Sequence, residues 1–169
     1  YPMDPQAIDP CEEAARWIEE AIVDDPPALV GGGRMIRAGY SRERDGIDAS
    51  VAEARRWVAS LEAAERSRTG IKSLKVGFNK VFGYYIEITR SNTDAVPPEY
   101  IRKQTLVNAE RYITPELKER ESLILHAEER AQELEAELYK ELLERVRGIA
   151  DRIRATATAV AHLDAYLAL

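Results

Sequence analysis

The stretch from Leu74 to Thr114 constrains this chain most, because it alone carries β character and it sits between two long helical patterns. Val76 and Phe78, then Tyr84, Ile86 and Ile88, alternate with polar or small residues at period two, which predicts two strands with one buried face each. Asn79 to Gly83 between them is short and closes on glycine, so the pair is expected to form an antiparallel hairpin. A third run, Leu106 and Val107 followed by Tyr112 and Ile113, predicts one further strand. Thr114-Pro115-Glu116 then reads as a helix start: threonine as N-cap, proline at the first helical position and an acid facing the positive end of the helix. The expected fold is mainly α with a small inserted antiparallel β domain, carried by long antiparallel helices.

Topology adds an expectation about the tip. The chain enters the β unit from a helix ending near Gly70 and leaves it into a helix at Thr114, so both attachments are expected at one end. On that premise the turn Asn79 to Gly83 and the segment Lys103 to Asn108 both lie at the far end, with Asn79 and Asn108 side by side.

The flanks are helical by pattern. Tyr1 to Ile8 has two prolines and no periodicity and reads as the cut edge of something larger. Asp9-Pro10 is expected to start a helix whose stripe is Cys11, Ala14, Ala15, Ile18, Ala21 and Ile22, ending before Pro26-Pro27. Ala28-Leu29-Val30 and Met35-Ile36-Arg37 suggest extended segments paired around Gly31-Gly32-Gly33; without a following Gly-Lys-Ser/Thr these glycines do not make a phosphate loop. A helix from Ser41 or Asp48 to Thr69 presents Ile47, Val51, Ala54, Val58 and Leu61, and Gly70 caps it. Leu117, Ile124, Ala131 and Leu138 recur every seven residues with Ala127 and Leu134 between, a coiled-coil seam that shifts to fours through Leu142 and Val146. Unbroken, residues 114–169 would reach about 80 Å, with Gly148 as the point where they bend and Ala155 to Leu169 packed on the first helix or on a missing core. The expected division is 1–70, first helical part; 71–113, inserted β domain; 114–169, second helical part.

Charge separates the β insert from its supports. The chain carries a formal net charge of −6, yet residues 70–112 hold seven basic and four acidic side chains. A basic insert on acidic helices suits contact with a polyanion. Lys75, Lys80, Arg102, Lys103 and Arg111 could meet phosphates, and Asn79, Gln104, Thr105 and Asn108 could hydrogen-bond phosphate oxygens; the expected tip favours Lys80 and Lys103. Tyr84 and Tyr85 fall on opposite faces by alternation, one in the core and one at the rim. Turn formation alone also accounts for Asn79.

Other chemistry finds little support. His126 and His162 stand without a second ligand at metal spacing, and Cys11 has no partner for an internal disulfide, as suits a reducing compartment. Glu128, Glu129, Glu133, Glu135 and Glu137 fit a solvated helix face, and Glu116–Arg120 and Glu141–Arg145 fit i, i+4 pairs. No arrangement of Ser, Cys or His offers an activated nucleophile, so no catalytic site is expected. No apolar run spans a bilayer, and a cytoplasmic location is expected.

Several segments in order, LKVGFN, GYYIE, RKQTLVNAERY and TPELKE, resemble the clamp of the bacterial MutS family of DNA mismatch-recognition proteins. DDPPALV, Ala38-Gly39-Tyr40 and Glu65 to Ile71 resemble the core and lever segments that precede it, so the likeness covers nearly the whole chain. The resemblance implies a clamp that holds double-stranded DNA by its phosphate backbone, with Asn79 and Asn108 strengthened as contacts, and levers that join it to an ATPase domain outside this sequence. It further implies a dimer, a MutL-type partner, and ATP and Mg bound elsewhere in the parent protein, with no cofactor here and neither ATPase activity nor mismatch preference in this piece. A paralogous branch concerned with suppressing recombination lacks this clamp and fits less well. The rival from another class is a structural coiled-coil arm whose β tip docks a protein.

Overall fold

The computed structural model describes residues 8–168, so the expectations for residues 1–7 and for Leu169 fall outside it. Four helices and four strands follow in the order α1 (Glu12–Ala21), α2 (Arg42–Thr69), β1 (Lys75–Asn79), β2 (Gly83–Thr89), β3 (Ile101–Thr105), β4 (Ala109–Ile113), α3 (Pro115–Arg147) and α4 (Ala150–Leu167). A 3-10 helix, Arg90–Ala95, lies between β2 and β3. The molecule is mostly helical with one small antiparallel sheet, and it divides into two compact units, residues 45–131 and residues 1–44 with 132–169. The unit holding the sheet thus takes in helical residues on both sides of the expected 71–113 insert, because those residues cover the apolar face of the sheet.

Within residues 45–131 the sheet order is β1-β2-β4-β3. The predicted single third strand is two: β3 and β4 form a second hairpin around Leu106-Val107-Asn108, where the Leu106 N–H donates to the Ala109 carbonyl at 2.8 Å. The alternation after Pro98 was interrupted by Arg102-Lys103-Gln104, which hid β3; its pairing slips between Arg102 and Gln104, so Lys103 occupies a bulge. Ile86, Ile88 and Tyr112 point to the buried face and join Leu74, Val58, Leu61, Ile71, Tyr100 and Leu117 in one core. Two long helical stretches close that core. Arg55 pairs with Glu128, and the Arg120 guanidinium lies 5.4 Å from the centre of the Trp57 ring, so here α2 and α3 run in opposite directions. Arg120 therefore stacks on tryptophan instead of pairing with Glu116.

The path from α2 into the sheet differs from the expected one. After Gly70, in the left-handed conformation at φ 72°, the chain reverses tightly and β1 runs back along the helix. Arg66 Nε donates to the Leu74 carbonyl at 2.6 Å and Glu62 Oε2 accepts the Val76 N–H at 2.9 Å, so later sheet residues meet earlier helix residues. α3 begins at the opposite end of the sheet, with the Leu117 N–H donating to Thr114 Oγ1 at 3.1 Å as the N-cap.

In the unit formed by residues 1–44 and 132–169, α1 starts at Glu12, two residues later than its Asp9-Pro10 signal, because Asp9 Oδ1 accepts the Cys11 N–H at 2.9 Å and Cys11 sits at φ 49°. Cys11, Ala14 and Ala21 are buried, whereas Ala15 and Ile18 are exposed. The segment expected to pair with Leu29 pairs with the end of α1 instead: Ile36 bridges Ile22, with Val23 N–H to Met35 O at 3.0 Å and Arg37 N–H to Ala21 O at 2.7 Å. Met35 and Ile36 are thereby buried and Leu29 and Val30 are left exposed. Glu135, 3% exposed, accepts the Met35 and Ile36 N–H groups at 3.2 and 3.3 Å and lies 3.7 Å from Arg44 Nε. The helix breaks at Gly148, where a bend was expected: α3 stops at Arg147 and the chain resumes as α4, which buries none of its described residues. Arg145 lies 4.4 Å over the Trp17 ring and not beside Glu141.

Candidate nucleic-acid interface

Strand register fixes where every candidate side chain stands. β2 begins with Gly83 opposite Asn79 of β1 and ends with Thr89 opposite Ala109 of β4. Asn79 and Asn108 are therefore at opposite ends of the sheet, about 20 Å apart along β2 at roughly 3.4 Å per residue. The expected meeting of the two at one tip is corrected. Its premise, that β1 runs away from the helices, fails because the reversal at Gly70 sends β1 back along α2.

At one end, Asn79 is occupied locally: its Oδ1 accepts the N–H groups of Val81 at 2.8 Å and Phe82 at 3.3 Å, the turn-forming role that competed with ligand contact in the sequence. Lys80 is exposed in the same turn. Beside it Gly83, at φ 78°, packs so closely on Glu121 of α3 that a Cβ there would overlap the carboxylate. This end faces a helix and leaves Val81 and Phe82 largely uncovered.

The other end holds two of the candidates, Thr105 and Asn108, with further basic residues beside them. Thr105 and Asn108 flank the β3–β4 turn, both exposed, and Val107 between them is 83% exposed. The Arg90 N–H donates to the Asn108 carbonyl at 3.0 Å, so the start of the 3-10 helix is tied to this turn. Ser73 is bonded to Thr89 Oγ1 at 3.0 Å and to Asn92 Nδ2 at 2.9 Å, which brings Lys72 to the same end. Lys72 and Arg90 are exposed at this end and join no ion pair among the described residues; Lys103 is likewise exposed and unpaired but stands in the middle of edge strand β3, level with Arg111 and Tyr112. Lys72 and Arg90 were missed because each sits alone beside a strand end; only the basic excess of the insert pointed to them. The bulge at Lys103 twists edge strand β3, a device that also discourages further strand pairing.

Remaining candidates lie on the sheet itself. Lys75, Glu87, Arg111 and Gln104 form one row across it. Arg111 Nε donates to Glu87 at 2.9 Å, Arg111 Nη1 donates to Gln104 Oε1 at 3.1 Å, and the guanidinium lies 4.1 Å from the centre of the Tyr85 ring. Arg111 and Gln104 thus serve each other first, whereas Lys75 is exposed on the β1 side. Tyr84 joins the buried face and Tyr85 the open one, as alternation predicted. Arg102 is exposed and reaches Glu110 at 3.4 Å, which partly neutralises it.

Hydroxyls near the core stay protonated. Burial, with a hydrogen bond to Glu110, pushes Tyr112 up to about 12. Burial and its bond to Glu65 raise Tyr100 likewise, and the Arg68 guanidinium holds the Glu65 carboxyl below the usual range. Among the described residues no cluster of three His, Cys, Asp or Glu is placed to hold a metal, and no helix is long and apolar enough to cross a membrane. Beside the Asn108 turn stand two unpaired cations, Lys72 and Arg90, with one exposed carboxylate, Asp94, on the same 3-10 helix as Arg90; long basic side chains beside short hydrogen-bonding ones can grip a phosphate backbone without reading bases.

Residues 39–130 match the sequence pattern of MutS family domain IV. The DNA mismatch repair protein MutS of Pelotomaculum thermopropionicum is 53% identical over 164 residues, which is 97% of this chain and 19% of that protein. Its counterpart in Dehalococcoides mccartyi is 52% identical over 93% of the chain and 18% of its own length. The one in Salinibacter ruber is 52% identical over 94% of the chain and 18% of its own length. The chain therefore spans about a fifth of the relatives it matches.

Proposed function

Since this chain belongs to the MutS family, with domain IV at its centre, we propose that its sheet is a clamp that binds duplex DNA through the phosphate backbone at the Asn108 end. The observation that carries this reading is exposed, unpaired Lys72 and Arg90 at the end that holds the turn with Thr105 and Asn108, with exposed, unpaired Lys103 farther along edge strand β3. Lys75 would extend the cationic track along β1, and Gln104 would act through Arg111. Asn79 and Lys80 would take part only if the duplex also reached the other end of the sheet.

The long helices α2 and α3 are levers in this reading, passing a conformational change to the clamp from a nucleotide-binding domain elsewhere in the whole protein. There ATP with Mg would be hydrolysed, a second copy would complete a ring around DNA, and a MutL-type partner would dock. Recognition of the mismatch would belong to another domain, and the site of action would be the cytoplasm. The names of the relatives support mismatch repair as the setting.

The test is fluorescence anisotropy with homoduplex and mismatched DNA at two salt concentrations. Three phosphate contacts predict an affinity that falls with roughly the 2.7 power of salt, because each contact contributes about 0.9, and the same affinity for both duplexes. Salt-insensitive binding, or a large preference for the mismatch, would count against the proposal. A second reading, a structural arm that docks a protein, draws on the uncovered Phe78, Val81 and Phe82; it predicts no DNA binding in that titration.

A further inference from the structure

Between residues 45 and 131 the β1–β2 hairpin is fastened to its helices by charged side chains that bond to strand backbone. Tyr84 lies beyond the last β2–β4 pair, Ile86 with Tyr112, so no strand takes its outward N–H. Glu121 of α3 does: Oε2 accepts that N–H at 2.6 Å, while Oε1 accepts Lys118 Nζ at 2.6 Å. Glu121 is 5% exposed, and the missing side chain of Gly83 makes room for its carboxylate. On the other side β1 is an edge strand, and α2 supplies what a neighbouring strand would. Glu62 Oε2 accepts the Val76 N–H at 2.9 Å, Arg66 Nε donates to the Leu74 carbonyl at 2.6 Å, and the two side chains pair at 2.9 Å.

Apolar packing holds Ile86, Ile88 and Tyr112 against Val58, Leu61 and Leu117, and it is looser around Phe78 at the β1–β2 hairpin. A groove of about 510 Å³, lined by Val58, Ala59, Ala63 and Phe78 among others, separates β1 from α2, and one of about 210 Å³, lined by Phe78, Ile124 and Leu125 among others, lies toward α3. Burial of apolar surface is non-directional, so beside these grooves it leaves the angle of the hairpin less fixed than it leaves Ile86, Ile88 and Tyr112 in the core. Hydrogen bonds to charged groups are directional and short, and they remove that freedom.

We infer that Glu121, together with the Glu62–Arg66 pair, is a polar joint that fixes the orientation of the hairpin on α2 and α3, so that the sheet turns with the helices. Glu121 and Glu62 are positioning residues in this account, whatever the sheet binds. The joint goes beyond the proposed DNA contact and does not depend on it.

The experiment uses the whole chain with spin labels at Val107→Cys and Glu129→Cys in a Cys11→Ser background, read by electron–electron distance measurement, beside residue-resolved amide exchange. Glu121→Ala is expected to broaden the label distance distribution and to speed exchange of the Tyr84 amide roughly tenfold or more, with Ile86 and Ile88 unchanged. Glu121→Gln keeps an acceptor and is expected to restore both readouts; Glu62→Ala is expected to free the Val76 amide in the same way. The inference is overturned if Glu121→Ala leaves the distances and the Tyr84 amide as they were. It is equally overturned if exchange rises at Ile86 as much as at Tyr84, or if Glu121→Gln behaves like alanine.

Discussion

Arg111 of β4 spans the open face of the sheet to Tyr85 of β2, its guanidinium carbon 4.1 Å from the ring centre while Nε donates to Glu87 at 2.9 Å. The planar fork can stack and donate at once; an ammonium can do only one of these well. Arg111→Lys is therefore expected to lower the stability of the sheet by about 1 kcal/mol, the size of a partly exposed cation–π contact with its ion pair. Urea unfolding followed through the exchange of sheet amides measures it; a loss below about 0.3 kcal/mol would remove the stack from the account.

Gly77 makes room for the same ring. A Cβ on Gly77 would stand 2.6 Å from Tyr85 Cζ, so Gly77→Ala should cost about 1–3 kcal/mol by overpacking. In Tyr85→Ala the obstacle is gone, and Gly77→Ala added to it should cost far less. A double-mutant cycle with an interaction energy near zero would show that the two do not meet.

Glu135 satisfies two buried N–H groups and faces Arg44, so Glu135→Leu should destabilise residues 1–44 with 132–169 by about 2–4 kcal/mol, the cost of leaving the Met35 and Ile36 N–H groups without an acceptor. Thermal unfolding should show this loss while the sheet amides of residues 45–131 keep their protection.

Neutralising Arg90 with Lys103 of edge strand β3, or Lys80 at the Gly83 end, should give different results in DNA titrations. Arg90→Ala with Lys103→Ala is expected to weaken binding to all duplexes alike and to reduce the salt slope by about 2, one for each lost phosphate contact. Lys80→Ala, at the Gly83 end, is expected to leave affinity within twofold, about 0.4 kcal/mol. The reverse pattern would move the interface to the Asn79 turn.

Stability should be flat at neutral pH and fall on both sides. Glu65 has a depressed folded value, so its contribution is present above its ordinary 4.5 and is lost as pH falls through the lowered value. Tyr112 is raised from 10 to about 12, so its contribution is present below pH 10 and is lost as pH rises toward 12. Tm measured across pH, with tyrosine absorbance at high pH, checks both; of the eight tyrosines, Tyr100 and Tyr112 should ionise late. Ionisation of all eight near pH 10 in the folded chain would contradict it.

Much of this molecule was legible from local chemistry. Val76, Phe78, Tyr84, Ile86 and Ile88 alternated and became one hairpin; Thr114 and Gly70 capped the helices on either side, because capping and alternation depend on a few neighbouring residues. β3 was hidden because Arg102-Lys103-Gln104 sit on an edge where no apolar face is demanded. Ile36 was matched to the wrong partner, since period alone does not say which strand lies alongside. Lys72 and Arg90 carry no local signal at all; only the fold brings Arg90 to Asn108 and the neighbour of Lys72, Ser73, to Thr89 and Asn92.

The amino-acid order by itself settled the family likeness, the helical supports, the basic insert and the opposite faces of Tyr84 and Tyr85, all of which are properties of residues close together in the chain. Only the tertiary structure decided which end of the sheet collects free positive charge. That outcome turns on the direction of β1 after Gly70, where the chain reverses and brings Leu74 and Val76 back beside Arg66 and Glu62, a path that no short window of sequence encodes.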